Sequence, residues 1–312
     1  MDIRKVVVAG GGVLGSQIAY QCAYKGFDVT VWLRSEASIG RAKPKFDRLL
    51  GIYLETLEAM KTNPAAYCRG LAAKDATDEQ IDELKARAQQ AHDDIVYTTS
   101  YEEAAADADL VIESISENPQ DKIVFYTEMA KHLPDKAIIV TNSSTMLPSA
   151  FAEYTGRPER YLALHFANEI WRNNTAEIMG HTGTDPNVYD IVVDFAERIG
   201  MIPLKLHKEQ PGYILNSLLV PFLSAAEGLL ATDVADVETI DKTWMLATGA
   251  PLGPFRILDV VGLTTAYNIG LLDPRSKDPN TVQGKVAALL KSYIDEGKTG
   301  INAGEGFYKY GK

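Results

Sequence analysis

The apolar positions of this chain change period as they run, and the changes mark out its elements. The stretch "KVVVAGGGVLGSQIAYQCAYKGFDVTVW" passes from a short β-branched strand through a glycine turn into a helix ending at Gly26, then into a second strand carrying Val29 and Val31. This is a βαβ unit. From about 36 to 93 the pattern is charged and helical ("RAKPKFDRLLGIYLETLEAM", then "TDEQIDELKARAQQAH"). That is too long for a simple crossover and predicts a helical hairpin inserted after the second strand. Strand signals return at "DIVYTT", "ADLVIESI" and "AIIVTNSS", each after a helical or turn segment, as in a parallel α/β domain. "YLALHFA" and "TAEIMGH" follow as two short apolar segments separated by a polar loop. Beyond "IPLKLHKEQPGYI" the periodicity is helical throughout, in "LNSLLVPFLSAAEGLLAT", "VETIDKTWMLAT" and "VQGKVAALLKSYIDE". Pro211 and Gly212 interrupt the chain between the two regimes. The pattern predicts an α/β domain over 1–208, carrying the insertion, and an all-α C-terminal domain over 209–312.

With 312 residues there is chain enough for two domains, each with its own core. The 46% of hydrophobic and 23% of charged residues are those of a folded globular protein. A formal net charge of −11 and a pI near 5.0 argue against nucleic acids and anionic membrane surfaces, which need a basic face. A small molecule is the expected partner. Only two cysteines, Cys22 and Cys68, an N-terminus that enters a strand directly, and no apolar run of spanning length point to the cytoplasm.

Gly10, Gly12 and Gly15 complete G-x-G-x-x-G between the first strand and its helix, with Val13 and Leu14 opening that helix inside the motif. The glycines serve a tight turn, close approach to a pyrophosphate and close helix packing, with the phosphates on the helix N-terminus. Alone the motif is weak; at the first βα turn it marks a Rossmann dinucleotide-binding domain. The end of the second strand then decides which nicotinamide cofactor fits. There, in "TVWLRS", Leu33 stands where an acidic residue grips the ribose of NAD and repels the 2′-phosphate of NADP. Arg34 and Ser35 add a charged donor and a hydroxyl suited to a phosphate, so NADP is favoured over NAD. Stacking of Arg34 on the adenine is the competing reading and leaves both cofactors usable. Arg34, Arg41, Lys43, Lys45 and Arg48 also favour a phosphate-bearing ligand, unless they are simply a solvated helix face.

Downstream, "VTNSSTM", "LALHFANE", "NTAEIM" and "PGYILNSLL" place Asn142, Ser144, His165, Glu177 and Asn216 at strand ends and a helix start, where such sheets carry their chemistry. Among five histidines, His165 alone lies between an apolar strand and a loop with a carboxylate on the next segment. If those segments pair as a hairpin, Glu177 meets the imidazole. It then fixes the tautomer and leaves the other nitrogen to take a hydroxyl proton as hydride leaves the same carbon. The bland alternative is a half-buried strand histidine with a fortuitous glutamate nearby. Ser144 and Asn142 suit a substrate oxygen or the cofactor side, but both are also ordinary turn formers.

Taken in order, "GGGVLG", "LVIESISEN", "TNSST", "LHFANE", "AEIM", "PGYILNSLL", "GAPLGPFRILDVVGL" and "GEGFYKY" resemble the 3-hydroxyacyl-CoA dehydrogenase family over essentially the full length. The resemblance implies a His165–Glu177 catalytic dyad, Ser144 and Asn216 on the substrate oxygens, and Glu113 and Lys122 lining the nicotinamide side. It also implies an acyl-CoA substrate, coenzyme A held in part by the helical hairpin, and a homodimer formed through the helical domain. In place of the family's usual H-F-F-N-P the chain reads "HFANEIWRNNTAE", with Ala167, Glu169, Trp171 and Arg172 in a loop bordering the substrate. That departure bears on acyl-chain preference and on the thioester itself. Two alternatives stand beside the family activity: a dehydrogenase of a free hydroxy acid or sugar acid, and a non-catalytic binding protein on the same fold.

Overall fold

The computed structural model describes residues 1–311, in two compact units divided between Ile214 and Leu215. The first unit is built on one eight-stranded sheet, β1 Lys5–Ala9, β2 Asp28–Trp32, β3 Val96–Thr98, β4 Leu110–Glu113, β5 Ile138–Thr141, β6 Tyr161–Phe166, β7 Thr175–Gly180 and β8 Ile202–Leu206. Their order across the sheet is β3-β2-β1-β4-β5-β6-β7-β8. All neighbours run parallel except β6 and β7, which form an antiparallel pair. Its helices are α1 Val13–Tyr24, α2 Glu36–Met60, α3 Asp78–Asp94, α4 Tyr101–Ala105, α5 Pro119–Ala130 and α6 Pro186–Arg198.

Strand sequence sorts side chains to the two faces with period two. Val6 and Val8 enter one core with Ile18, Tyr53 and Phe195, while Val7 and Ala9 enter the other with Phe125, Tyr126 and Met129. Being covered on both sides, the central strands are apolar without alternation, as "KVVVA" and "LVIE" are. The expected insertion is the pair α2 and α3, the latter begun by a Thr77–Gln80 capping box. The order in which strands are added reverses between β1 and β4, so a crevice opens at their carboxyl ends, where this class of sheet binds its ligands.

The division falls six residues later than the pattern predicts, and the cause is polar. After β8 the segment 207–214 stays with the sheet: the Gln210 N–H reaches Met179 Sδ, Tyr213 OH donates to the Ser143 carbonyl, and the Ile214 N–H donates to Glu177. The second unit consists of α7 Leu215–Ala231, α8 Val237–Thr248, α9 Pro254–Val261, α10 Leu263–Gly270 and α11 Val282–Asp295 around Leu223, Ile240, Phe255, Leu258, Leu263 and Leu290. Two buried carboxylates organise it. Asp241 accepts the Phe255 and Arg256 N–H groups that begin α9, and Asp259 accepts the Phe307 and Tyr308 N–H groups of "GEGFYKY". Among the described residues no helix is long and apolar enough to cross a membrane.

Candidate active site

The glycine loop comes first because the rest of the crevice is arranged around it. Gly10 has φ +115°, and a Cβ there would lie 2.3 Å from the Ser114 carbonyl oxygen; one on Gly15 would lie 2.3 Å from the Gly10 carbonyl oxygen. Only glycine permits helix, loop and β4 to approach this closely. No side chain caps α1 at Gly12, so the first-turn amides of Val13, Leu14 and Gly15 face the loop without a capping acceptor. Beside them opens a cavity of about 560 Å³, lined by Gly10, Gly11 and Gly12, by Trp32, Leu33 and Arg34, and by Ser114, Ile115 and Phe125. A pyrophosphate and an adenosine fit these residues: backbone donors at one end, aromatic and aliphatic walls at the other.

His165 lies on β6 directly opposite Glu177 on β7, one position before the strand's carboxyl end. The pairing places His165 Nδ1 3.0 Å from Glu177 Oε2, with both side chains more than nine-tenths buried. Glu177 Oε1 is engaged as well, accepting the Ile214 N–H at 2.8 Å. Donors on both oxygens thus fix the carboxylate, and the carboxylate fixes the ring. Nε2 is left facing Ser144 Oγ at 3.1 Å. With Nδ1 carrying the proton toward Glu177, Nε2 is an acceptor aimed at a hydroxyl, the state a general base needs.

Asn142 and Ser144 both follow β5, but with different duties. Asn142 Oδ1 accepts the Phe166 N–H at 3.0 Å and its amide reaches Ser114 Oγ at 3.3 Å, so it ties the end of β6 to the end of β4. Ser144 is half-buried and touches the histidine. Asn216 lies in the second unit, near the start of α7, half-buried.

Glu113 and Lys122 do not line the crevice. Their side chains are 0% and 1% exposed and form a buried ion pair of 2.7 Å. Glu113 also accepts from the Ile115 N–H, Tyr126 OH and Thr141 Oγ1. A buried carboxylate must have its lone pairs filled, and four donors from α5, β5 and the loop after β4 do so. The carboxylate that reaches the site is Glu117, four residues on, whose oxygens accept the Ser144 N–H and Ser143 Oγ at 2.8 and 2.7 Å. Sequence reasoning passed over it although it stands in the same loop. It also passed over Tyr213, which stacks on the His165 ring at 4.3 Å and 12° and is anchored through its hydroxyl on the Ser143 carbonyl. Burial drives the Tyr213 phenol pKa far up, so this flat wall stays neutral.

The divergent loop after β6 is held at three points. Gln17 Oε1, on α1, accepts the Glu169 and Ile170 N–H groups, and Trp171 is buried against Tyr53. The Gly70 N–H donates to the Trp171 carbonyl, and a Cβ on Gly70 would lie 2.6 Å from that oxygen. The other histidines make no comparable constellation: His92 pairs with Asp47 and Asp93 on the α2–α3 surface, and His181 Nε2 meets the Pro158 carbonyl. No cluster of metal-ligating side chains occurs among the described residues.

Comparison with known proteins adds the following. Residues 5–210 match the family model of the 3-hydroxyacyl-CoA dehydrogenase NAD binding domain, and residues 212–310 match that of the C-terminal domain. The chain is 30% identical over 310 residues to the human mitochondrial hydroxyacyl-coenzyme A dehydrogenase, covering 99% of this chain and 91% of that one. Among solved structures it is similar to a diketoreductase described as acting on dicarbonyl compounds, with 48% identity, TM-score 0.85, and 99% and 100% of the two chains covered. It is also similar to the (S)-3-hydroxybutyryl-CoA dehydrogenase PaaH1 of Ralstonia eutropha, with 25% identity, TM-score 0.76, and both chains fully covered.

Proposed function

Since the chain belongs to the 3-hydroxyacyl-CoA dehydrogenase family, we propose that it interconverts a 3-hydroxyacyl-CoA and its 3-oxoacyl-CoA with a nicotinamide cofactor, His165 being the acid–base group. The observation that carries this is the ordered contact Glu177–His165–Ser144, which leaves one imidazole nitrogen pointed at a hydroxyl. In oxidation Nε2 takes the proton of the substrate hydroxyl, which displaces or shares the Ser144 contact. Glu177 balances the charge on the ring, and Ser144 and the wall of Tyr213 hold the reacting oxygen in line. A nicotinamide cofactor held on the glycine loop and the cavity beside it would supply the hydride acceptor for the same carbon. In reduction the protonated ring returns the proton to the carbonyl oxygen. Asn216 is assigned to the substrate oxygen on the family resemblance alone, and Asn142 and Glu117 act as positioning groups. The N-terminal unit carries the cofactor, α2 and α3 help hold coenzyme A, and the helical unit pairs two copies into a homodimer. Of the two nicotinamide cofactors, Leu33, Arg34 and Ser35 favour NADP.

A second reading is favoured by one specific observation. The loop "HFANEIWRNN" departs from the family, and a 48% identical relative is a diketoreductase, so a free dicarbonyl compound is the competing substrate for the same dyad. The test is consumption of reduced cofactor with acetoacetyl-CoA and with a free β-diketo ester at equal concentration. A higher kcat/KM for the thioester supports the first reading, a higher one for the ester the second, and turnover of neither overturns both.

A further inference from the structure

The cations after β2 do not form one solvated face. Arg41 and Lys45 are four apart on α2, and both line the cavity beside the glycine loop, together with Arg34 and Ser38; Lys43 instead lies over the Tyr97 ring. Their polar groups are already linked. Arg41 Nη2 donates to Ser38 Oγ at 2.8 Å, Ser38 Oγ is 2.9 Å from Ser35 Oγ, and Lys45 Nζ donates to the Gly11 carbonyl at 2.7 Å. Three cations and a hydroxyl pair therefore converge on the stretch of wall where the ribose of a dinucleotide is held. Leu33 supplies no acceptor there, being buried beneath the loop with Cδ2 3.0 Å from the place a Gly11 Cβ would take. The one carboxylate in the lining, Asp121, accepts from Ser116 Oγ. The aromatic wall is built for a purine: Trp32 packs on Tyr101 at 4.5 Å and Phe125 at 5.1 Å, and its buried indole N–H has no hydrogen-bond partner among the described residues.

We propose that Arg34, Ser38 and Arg41, backed by Lys45, form a site for the 2′-phosphomonoester of an adenosine dinucleotide, with Trp32 on the adenine side. The proposal rests on the reading of this crevice as a nicotinamide-cofactor site and extends it to residues on α2. A phosphate dianion matches the set because fork-shaped guanidinium donors and hydroxyls satisfy its oxygens, while an unphosphorylated ribose brings no anion to the two arginines. Adenosine 3′-phosphate, the end group of coenzyme A, offers the same chemistry from another source and must be separated from it.

The experiment titrates the full chain, without acyl substrate, with 5′-AMP, adenosine 2′,5′-bisphosphate and adenosine 3′,5′-bisphosphate, reading heat by calorimetry and the change in intrinsic tryptophan fluorescence. The 2′,5′-bisphosphate is expected to bind at least fivefold tighter than either other ligand. In Arg34→Gln/Arg41→Gln, two exposed positions, that advantage falls below fivefold while 5′-AMP binds as before. An advantage under fivefold in the wild type overturns the proposal. So does an equal gain from the 3′,5′-bisphosphate, or a parallel weakening of 5′-AMP in the double variant, which would mean that the arginines stack on adenine. Because no acyl substrate enters the assay, its outcome is independent of whether acetoacetyl-CoA is turned over.

Discussion

Replacing Glu177 by glutamine changes one oxygen for an amide in a side chain that is 5% exposed, and the site has no use for the amide. Both carboxylate oxygens hold donors, His165 Nδ1–H on Oε2 at 3.0 Å and the Ile214 N–H on Oε1 at 2.8 Å. Glutamine brings a single acceptor. If its oxygen stays on His165, its NH2 meets the Ile214 N–H, leaving a part-buried donor unpaired at a cost of about 1–3 kcal/mol. If the oxygen turns to Ile214, the NH2 donates to Nδ1 and the ring proton moves to Nε2, which then cannot accept from the substrate hydroxyl. The second arrangement relieves the clash and removes the base. Loss of a correctly held general base costs about 10² to 10⁴ in rate, roughly 3 to 5 kcal/mol of barrier. The assay is stopped-flow single turnover of the oxidation beside steady-state kcat, with cofactor affinity from tryptophan quenching. The reasoning requires kcat to fall at least 10²-fold with cofactor Kd within threefold of wild type. A folded Glu177→Gln variant with kcat within tenfold of wild type would refute it.

Two further outcomes follow from the helical unit. Glu227 is buried on α7 with Oε1 unpartnered among the described residues, and burial pushes its carboxyl pKa from 4.5 up to about 7. An acid raised in the folded state costs nothing below its unfolded value, and the cost grows as pH climbs from about 4.5 through about 7. Wild-type stability should therefore decline over that window relative to Glu227→Gln, by on the order of 3 kcal/mol, read as diverging denaturation midpoints; parallel curves would contradict this. Self-association is the second. Of the apolar run on α7, Leu223 is buried and Leu219 and Phe222 pack on the unit's own core, while Leu218 is 68% exposed, as are Leu246 at 75% and Leu272 at 80%. Exposed side chains of this size favour association, so sedimentation is expected to give a dimer at micromolar concentration, and a monomer would defeat the homodimer.

What the sequence disclosed, and what it hid, divides along range of contact. The glycine turn, the β-branched strands and the α2–α3 pair are written in local spacing, and so is the His165–Glu177 pair, because a hairpin fixes which residues stand opposite. Tyr213 is invisible to such reasoning. It reaches His165 from 48 positions away with φ +54°, a conformation that an "x-P-G-Y" turn tolerates but does not announce. Glu113 and Glu117 sit in one "ESISE" segment, and only the sheet decides that the first, ending β4, points into the buried network while the second, past the strand, faces Ser144. The phosphate-type lining was half legible. Arg34 stood next to Leu33 in the sequence, but that Arg41 and Lys45 share its cavity while Lys43 does not depends on the phase of α2. The short helices α9 and α10 carry too few residues for a periodicity; α9 is begun by Asp241 reaching from α8, and its own Asp259 then holds the N–H groups of Phe307 and Tyr308.

The central claim, that His165 moves the substrate proton, is tested most directly by His165→Gln with acetoacetyl-CoA and reduced cofactor, measuring kcat and the Kd of the cofactor on the same preparations. The account predicts a fall in kcat of at least 10²-fold with the Kd unchanged within threefold, because the imidazole is held by Glu177 and Ser144 and does not line the cavity beside the glycine loop. Turnover near that of the wild type would contradict it and would leave the pair as a structural feature of the hairpin.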